Sequence, residues 1–126
     1  MTLIDDTYNA NPDSMRAALE LLCDLSSGRR IAVLGDMGEL GSHAEEEHRR
    51  LGREIAKMKV NKLYCLGPYS NWMAEEASNA GADTWHTEKP EALVDRLRSD
   101  LIRGDTVLFK ASRSMALDEI MNAVVA

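Results

Sequence analysis

Apolar positions recur along the chain in two rhythms. From Asp13 to Leu25 they fall at Met15, Ala18, Leu19, Leu22 and Leu25, the spacing of one helical face. Leu51, Ile55 and Met58 repeat that spacing, as do Leu93, Leu97 and Leu101, and then Leu117, Ile120, Met121 and Val124. A further helix is expected from about Tyr69 to Asn79. Between these stretches lie short apolar runs: Leu3-Ile4, Arg30 to Leu34, Lys62 to Leu66, Ala82 to His86 and Thr106 to Phe109. The run from Arg30 to Leu34 is continuously apolar after its arginine, as in a buried parallel strand. Gly28, Gly67-Pro68, Gly81 and Gly104 punctuate the alternation. Strand and helix therefore alternate five times. This order predicts an α/β fold, a Rossmann-like three-layer domain with a mostly parallel sheet of five to six strands and helices on both faces.

Two local signals refine the boundaries. Asn11 can cap the first helix, with Pro12 at its first position, where a missing N–H costs nothing. Ser42 with Glu45 three residues later predicts a capping box at the start of the third element's helix. No repeat or internal linker is visible, so residues 1–126 read as one domain. A domain seldom starts inside its own first strand, and the expectation is that the chain is a piece of a larger protein.

Composition changes this picture little. A net charge of −6 argues against nucleic acid as the main partner, and no apolar run approaches a membrane span. The opening Met-Thr-Leu-Ile-Asp-Asp does not read as a basic, apolar leader, and a cytoplasmic setting is expected. Cys23 and Cys65 lack metal or redox spacing and read as buried free thiols. His43, His48 and His86 do not form a metal-ligand pattern, so no metal site is expected.

The chemistry gathers in the loops that leave strands one, two and five, which such a fold places on one edge. The first offers Asp5, Asp6, Tyr8, Asn9 and Asn11, and the second Asp36 and Glu39 among three glycines. The fifth offers Lys110, Ser112, Arg113 and Ser114. Asp6 can accept hydrogen bonds from a ribose or bind Mg²⁺. The glycine-rich stretch can turn backbone N–H groups toward an anion. Lys110 and Arg113 can hold a carboxylate or phosphate. Carboxylates facing cations suit a zwitterion such as an amino acid or dipeptide. Blander roles exist for each residue. Asp5, Asn11 and Ser14 also read as turn and cap residues, and Lys110 as a surface lysine. Glu39 is expected in solvent, and His48, Arg49 and Arg50 on a solvated helix face. Trp72, Trp85 and Met37 are expected in packing. The loops after strands three and four look ordinary. Neither G-x-x-x-x-G-K-S/T nor G-x-G-x-x-G is present, so the chain lacks the parts to grip ATP phosphates by itself.

Taken together, the motifs at Asp5–Ser14, Leu34–Gly41 and Lys110–Met115 resemble the C-terminal domain of the Mur ligases. The resemblance covers essentially the whole chain. The third motif departs from the family's usual pattern, with Ala111 in place of a glycine after the lysine. The first two motifs are most similar to the member that joins D-Ala-D-Ala to UDP-MurNAc-tripeptide. The resemblance implies a three-domain enzyme with a UDP-sugar domain, a central ATP domain and this one. ATP phosphorylates the tripeptide carboxylate, and the dipeptide amine attacks the acyl phosphate. Mg²⁺ is implied in the central domain, and no cofactor is expected on this chain alone. By motif, Asp6 is implied at the nucleotide with Tyr8, Asn9 and Asn11 nearby. Asp36, Lys110, Ser112 and Arg113 are implied on the D-Ala-D-Ala side or at the acyl phosphate. The isolated chain is expected to be inactive. Two alternatives share some features. A receiver-like phosphoacceptor also carries acidic residues after strand one and a lysine after strand five, but its acceptor carboxylate ends strand three, where this chain has Cys65-Leu66-Gly67-Pro68. A stand-alone nucleotide-binding module is the other.

Overall fold

The computed structural model describes residues 1–6, 10–25, 28–112 and 116–125. The elements are β1 (Thr2–Asp5), α1 (Pro12–Leu25), β2 (Arg30–Gly35), a 3₁₀ turn (Gly41–His43) and α2 (Ala44–Ala56), followed by β3 (Lys62–Leu66) and α3 (Ser70–Asn79). The chain continues through β4 (Thr84–Thr87), α4 (Pro90–Asp100), β5 (Thr106–Lys110) and α5 (Leu117–Val125). Among the described residues the sheet has five strands in the order β1-β5-β2-β3-β4, and every pair is parallel. This is the expected α/β three-layer architecture. No described helix is long and apolar enough to cross a membrane.

Alternation along the strands divides the core. Ala32, Leu34, Leu63, Cys65 and Leu108 point to one face, where Leu19 and Leu22 of α1, Leu51 and Ile55 of α2, and Met73 and Ala77 of α3 cover them. Ile31, Val33, Tyr64, Leu66, Val107 and Phe109 point to the other, under Leu93 and Leu97 of α4 and Leu117 and Ile120 of α5. Helices α2 and α3 approach closely at Gly52. A Cβ there would lie 2.3 Å from the carbonyl oxygen of Met73.

Helix α1 starts as its cap residues predict. The Ser14 N–H donates to Asn11 Oδ1 at 2.9 Å, and the Asn11 N–H donates to Ser14 Oγ at 3.1 Å. This is a reciprocal capping box with serine in the third position. The expected box at Ser42 and Glu45 does not form. The His43 N–H closes a 3₁₀ turn on the Leu40 carbonyl, so Ser42 lies inside that turn rather than in the extended conformation a cap needs. His43 stands at the start of α2 and makes no side-chain cap bond.

Strand order disfavours the receiver-like alternative. Receiver sheets run 2-1-3-4-5, which leaves β5 at an edge. Here β5 lies between β1 and β2. The end opposite the site is tied by Arg29, whose Nε and Nη2 donate to the two carboxylate oxygens of buried Asp105 at 2.9 and 2.8 Å.

Candidate functional site

The sheet order decides which loops meet. Strands β1, β5 and β2 are neighbours, so the three chemically unusual loops leave adjacent strand ends. Helices α1 and α2 lie on one face and α5 on the other. The connections from β1 and β5 therefore part to opposite faces, which opens a crevice at that switch point.

The loops are joined by specific bonds. Lys110 Nζ lies 2.8 Å from Asp6 Oδ2. Strand β5 extends one residue beyond the expected run, so Lys110 is in the strand and 1% exposed, while the Asp6 side chain remains 44% exposed. A surface position for Lys110 is thereby overturned. The Gly38 N–H donates to the Ala10 carbonyl, and the Ser112 N–H to the Asp36 carbonyl at 2.9 Å. Loops one, two and five thus form a single edge. Tyr8, Asn9 and Arg113 lie outside the described residues.

Asp36 is nearly buried. Its Oδ1 accepts from both the N–H and the hydroxyl of Ser70, at 2.7 and 2.8 Å. Asp36 therefore caps α3 from a different loop, a long-range version of an N-cap. This makes the loop after β3, expected to be ordinary, a wall of the site. Residues Asp36 to Gly41, Ala44, Tyr69 and Ser112 line an open cleft of about 310 Å³. Tyr69 is exposed and stacks on Trp72 with ring centroids 5.4 Å apart. Asn11 does not line that cleft, and its amide oxygen is engaged in the α1 cap. Exposed Glu39 adopts a left-handed backbone with φ of 59°.

The glycine-rich loop does not offer all its N–H groups to a ligand. Gly38 donates to Ala10, and the Met37 N–H donates to His48 Nε2 at 3.0 Å. His48 is fully buried, so the expected solvated position is wrong. Its Nδ1 donates to the Ala44 carbonyl at 2.7 Å. Burial holds the imidazole below its ordinary pKa, against the opposing pull of the Ala44 carbonyl, Asp36 and Glu47. Sequence periodicity carried the signal: Ala44, His48, Leu51 and Ile55 share the inward stripe of α2. Nothing in the sequence signalled Ser70, because its partner is Asp36, 34 residues away.

Cys65 is buried and Cys23 partly so, both as free thiols. Among the described residues, no three His, Cys, Asp or Glu side chains converge to hold a metal ion.

Residues 1–113 match the family described as "Mur ligase, glutamate ligase domain". The chain belongs to the Mur ligase family. Mur ligase relatives named UDP-N-acetylmuramoyl-tripeptide–D-alanyl-D-alanine ligase include one from Treponema pallidum, 40% identical over 122 residues, covering 95% of this chain and 27% of that protein. Another, from Bacillus subtilis, is 36% identical over 129 residues, covering 99% of this chain and 28% of that protein. Among solved Mur ligase structures, MurF from Acinetobacter baumannii superimposes with a TM-score of 0.86 at 31% identity, over 97% of this chain and 27% of that one. MurF from Thermotoga maritima in complex with ADP superimposes with a TM-score of 0.80 at 28% identity, also over 97% and 27%. The chain spans little more than a quarter of the length of these Mur ligases and matches their C-terminal portion.

Proposed function

We propose that the chain serves as the C-terminal domain of an ATP-dependent ligase that joins D-Ala-D-Ala to UDP-MurNAc-tripeptide in the cytoplasm. The observation that carries this reading is the match of essentially the whole chain to relatives named for that one activity. The ADP complex of the Thermotoga maritima neighbour supports nucleotide use.

In this reading the remaining domains of the ligase supply the phosphate-binding loop, the UDP-sugar site and Mg²⁺. The exposed Asp6 carboxylate accepts hydrogen bonds from the nucleotide, with Tyr8, Asn9 and Asn11 alongside. Lys110, held by Asp6, supplies buried positive charge beside the acyl phosphate. Ser112 and Arg113 face the dipeptide. Asp36 contributes by holding the wall against which the dipeptide lies. The neutral amine attacks the acyl-phosphate carbonyl carbon, the C–N bond forms as the C–O bond to phosphate breaks, and inorganic phosphate leaves as the amine gives up its proton. Each side of the cleft is incomplete without the other domains, so the isolated chain turns nothing over.

Phosphate release that depends on both ATP and D-Ala-D-Ala tests this, measured on the chain alone and on the longer ligase that contains it. The expected result is release by the ligase and none by the chain. Turnover by the chain alone overturns the half-site reading. A ligase active with a single amino acid but not with D-Ala-D-Ala overturns the substrate.

A further inference from the structure

One buried titratable group has no part in that chemistry. His48 lies under the glycine-rich loop, with Tyr69 and Trp72 edge-on at ring-centroid distances of 5.9 and 6.3 Å. Its two bonds fix a single tautomer. A backbone N–H can only donate, so Nε2 must accept from Met37. A carbonyl can only accept, so Nδ1 must carry the proton toward Ala44. The imidazole is neutral in this arrangement, with no hydrogen-bond position to spare.

We infer that His48 is a positioning residue, whose neutral imidazole latches the 36–41 loop against α2 and so shapes the cleft for the amine substrate. The inference rests on the proposed reading of that cleft. Met37 directly follows Asp36, which ties Ser70 and Ser112 into the same wall. Protonation places a hydrogen on Nε2 facing the Met37 N–H. Two donors then oppose each other in a buried site, and the loop must move. The charged groups facing the ring are Asp36 from the loop and Glu47 from α2 itself, and Tyr69 brings its phenol from the start of α3. Both carboxylates favour the cation, but burial outweighs them, so the latch opens below the ordinary histidine range.

The test compares the longer ligase with its His48→Gln and His48→Phe variants from pH 5 to 8. Glutamine keeps a neutral acceptor at every pH, whereas phenylalanine keeps the ring volume without an acceptor. Protonation of the amine itself falls on all three enzymes alike, so the ratio of wild-type to variant KM isolates His48. Relative to His48→Gln, the wild-type KM for D-Ala-D-Ala should rise roughly tenfold per pH unit below the latch's midpoint, because only the neutral fraction is competent. The KM for ATP should not follow. The His48→Phe KM for the dipeptide should be high throughout. A wild-type-to-Gln ratio flat with pH overturns the latch, as does a parallel rise of both substrates' KM with a lowered melting temperature. A second readout keeps the test decisive if either variant fails to fold. In wild-type ligase labelled with ¹⁵N-methionine, the Met37 amide resonance should titrate together with the His48 ring, and independent titration overturns the inference. A ligase that uses another amine refutes the proposed function but still shows this co-titration. A ligase that turns over D-Ala-D-Ala without it refutes only the latch.

Discussion

Asp36 shows how one residue can be legible in type and illegible in task. A carboxylate among glycines at a strand end is visible in the sequence, but its buried bonds to the Ser70 N–H and hydroxyl depend on the β3–α3 corner standing beside it. Asp36→Ala leaves the Ser70 N–H without its partner and is expected to cost about 2 kcal/mol, read by urea denaturation. Ser70→Ala removes only the hydroxyl bond and should cost about half as much. His48 was misplaced for the opposite reason. Its polarity and its neighbours Arg49 and Arg50 suggested solvent, although its spacing to Leu51 and Ile55 put it on the inward stripe of α2, and only its bond from the Met37 N–H had to come from the tertiary structure. Linkage gives the sign of its effect on stability. A histidine whose folded pKa is depressed stabilises the fold fully above its ordinary value of 6.5, and that stability is lost as pH falls toward the folded value. Melting temperature should therefore drop below about pH 6.5, less so in His48→Gln.

Among the elements, the α2–α3 pair is the tightest helix contact and hinges on Gly52. On an isolated helix, Gly→Ala would stabilise by about 1 kcal/mol. Here the added methyl meets the Met73 carbonyl at 2.3 Å, and backbone cannot move aside cheaply. Gly52→Ala is expected to destabilise by roughly 2 kcal/mol net, measured by thermal or chemical unfolding. The two capping signals separate for a similarly local reason. The Asn11–Ser14 box forms directly at the start of α1, whereas the 3₁₀ turn at Gly41–His43 takes the backbone that Ser42 would need.

At the scale of the whole molecule, the Arg29–Asp105 pair ties the start of β5 to the residue before β2, on the edge away from the cleft. The Arg29 guanidinium beside Asp105 holds its carboxyl below the usual carboxylate range. A depressed carboxyl contributes stability that is present above its unfolded value and lost as pH falls through the folded one. The chain should thus lose stability below about pH 4, and Asp105→Asn should lower stability at pH 7 by about 3 kcal/mol while flattening that acid limb. Denaturant midpoints between pH 2 and 7 read both effects. These residues lie at the opposite end of the sheet from the cleft, so if the proposed function holds, the KM values for nucleotide and dipeptide should stay as they are while the protein remains folded.

The class of fold, the alternation of five strands with helices and the three loops that carry chemistry were all legible in the amino-acid sequence, because short apolar runs and a three-to-four-residue apolar spacing are local properties. The whole-chain motifs likewise carried the family. Strand order was decided only in three dimensions. Nothing local says that β5 inserts between β1 and β2, yet that insertion brings Lys110 to Asp6 and Ser112 to Asp36. The third loop's part in the site, the burial of Lys110 and the role of His48 follow from the same cause. Each is a pairing between residues distant in the chain, and such pairings are set by how the layers close over one another.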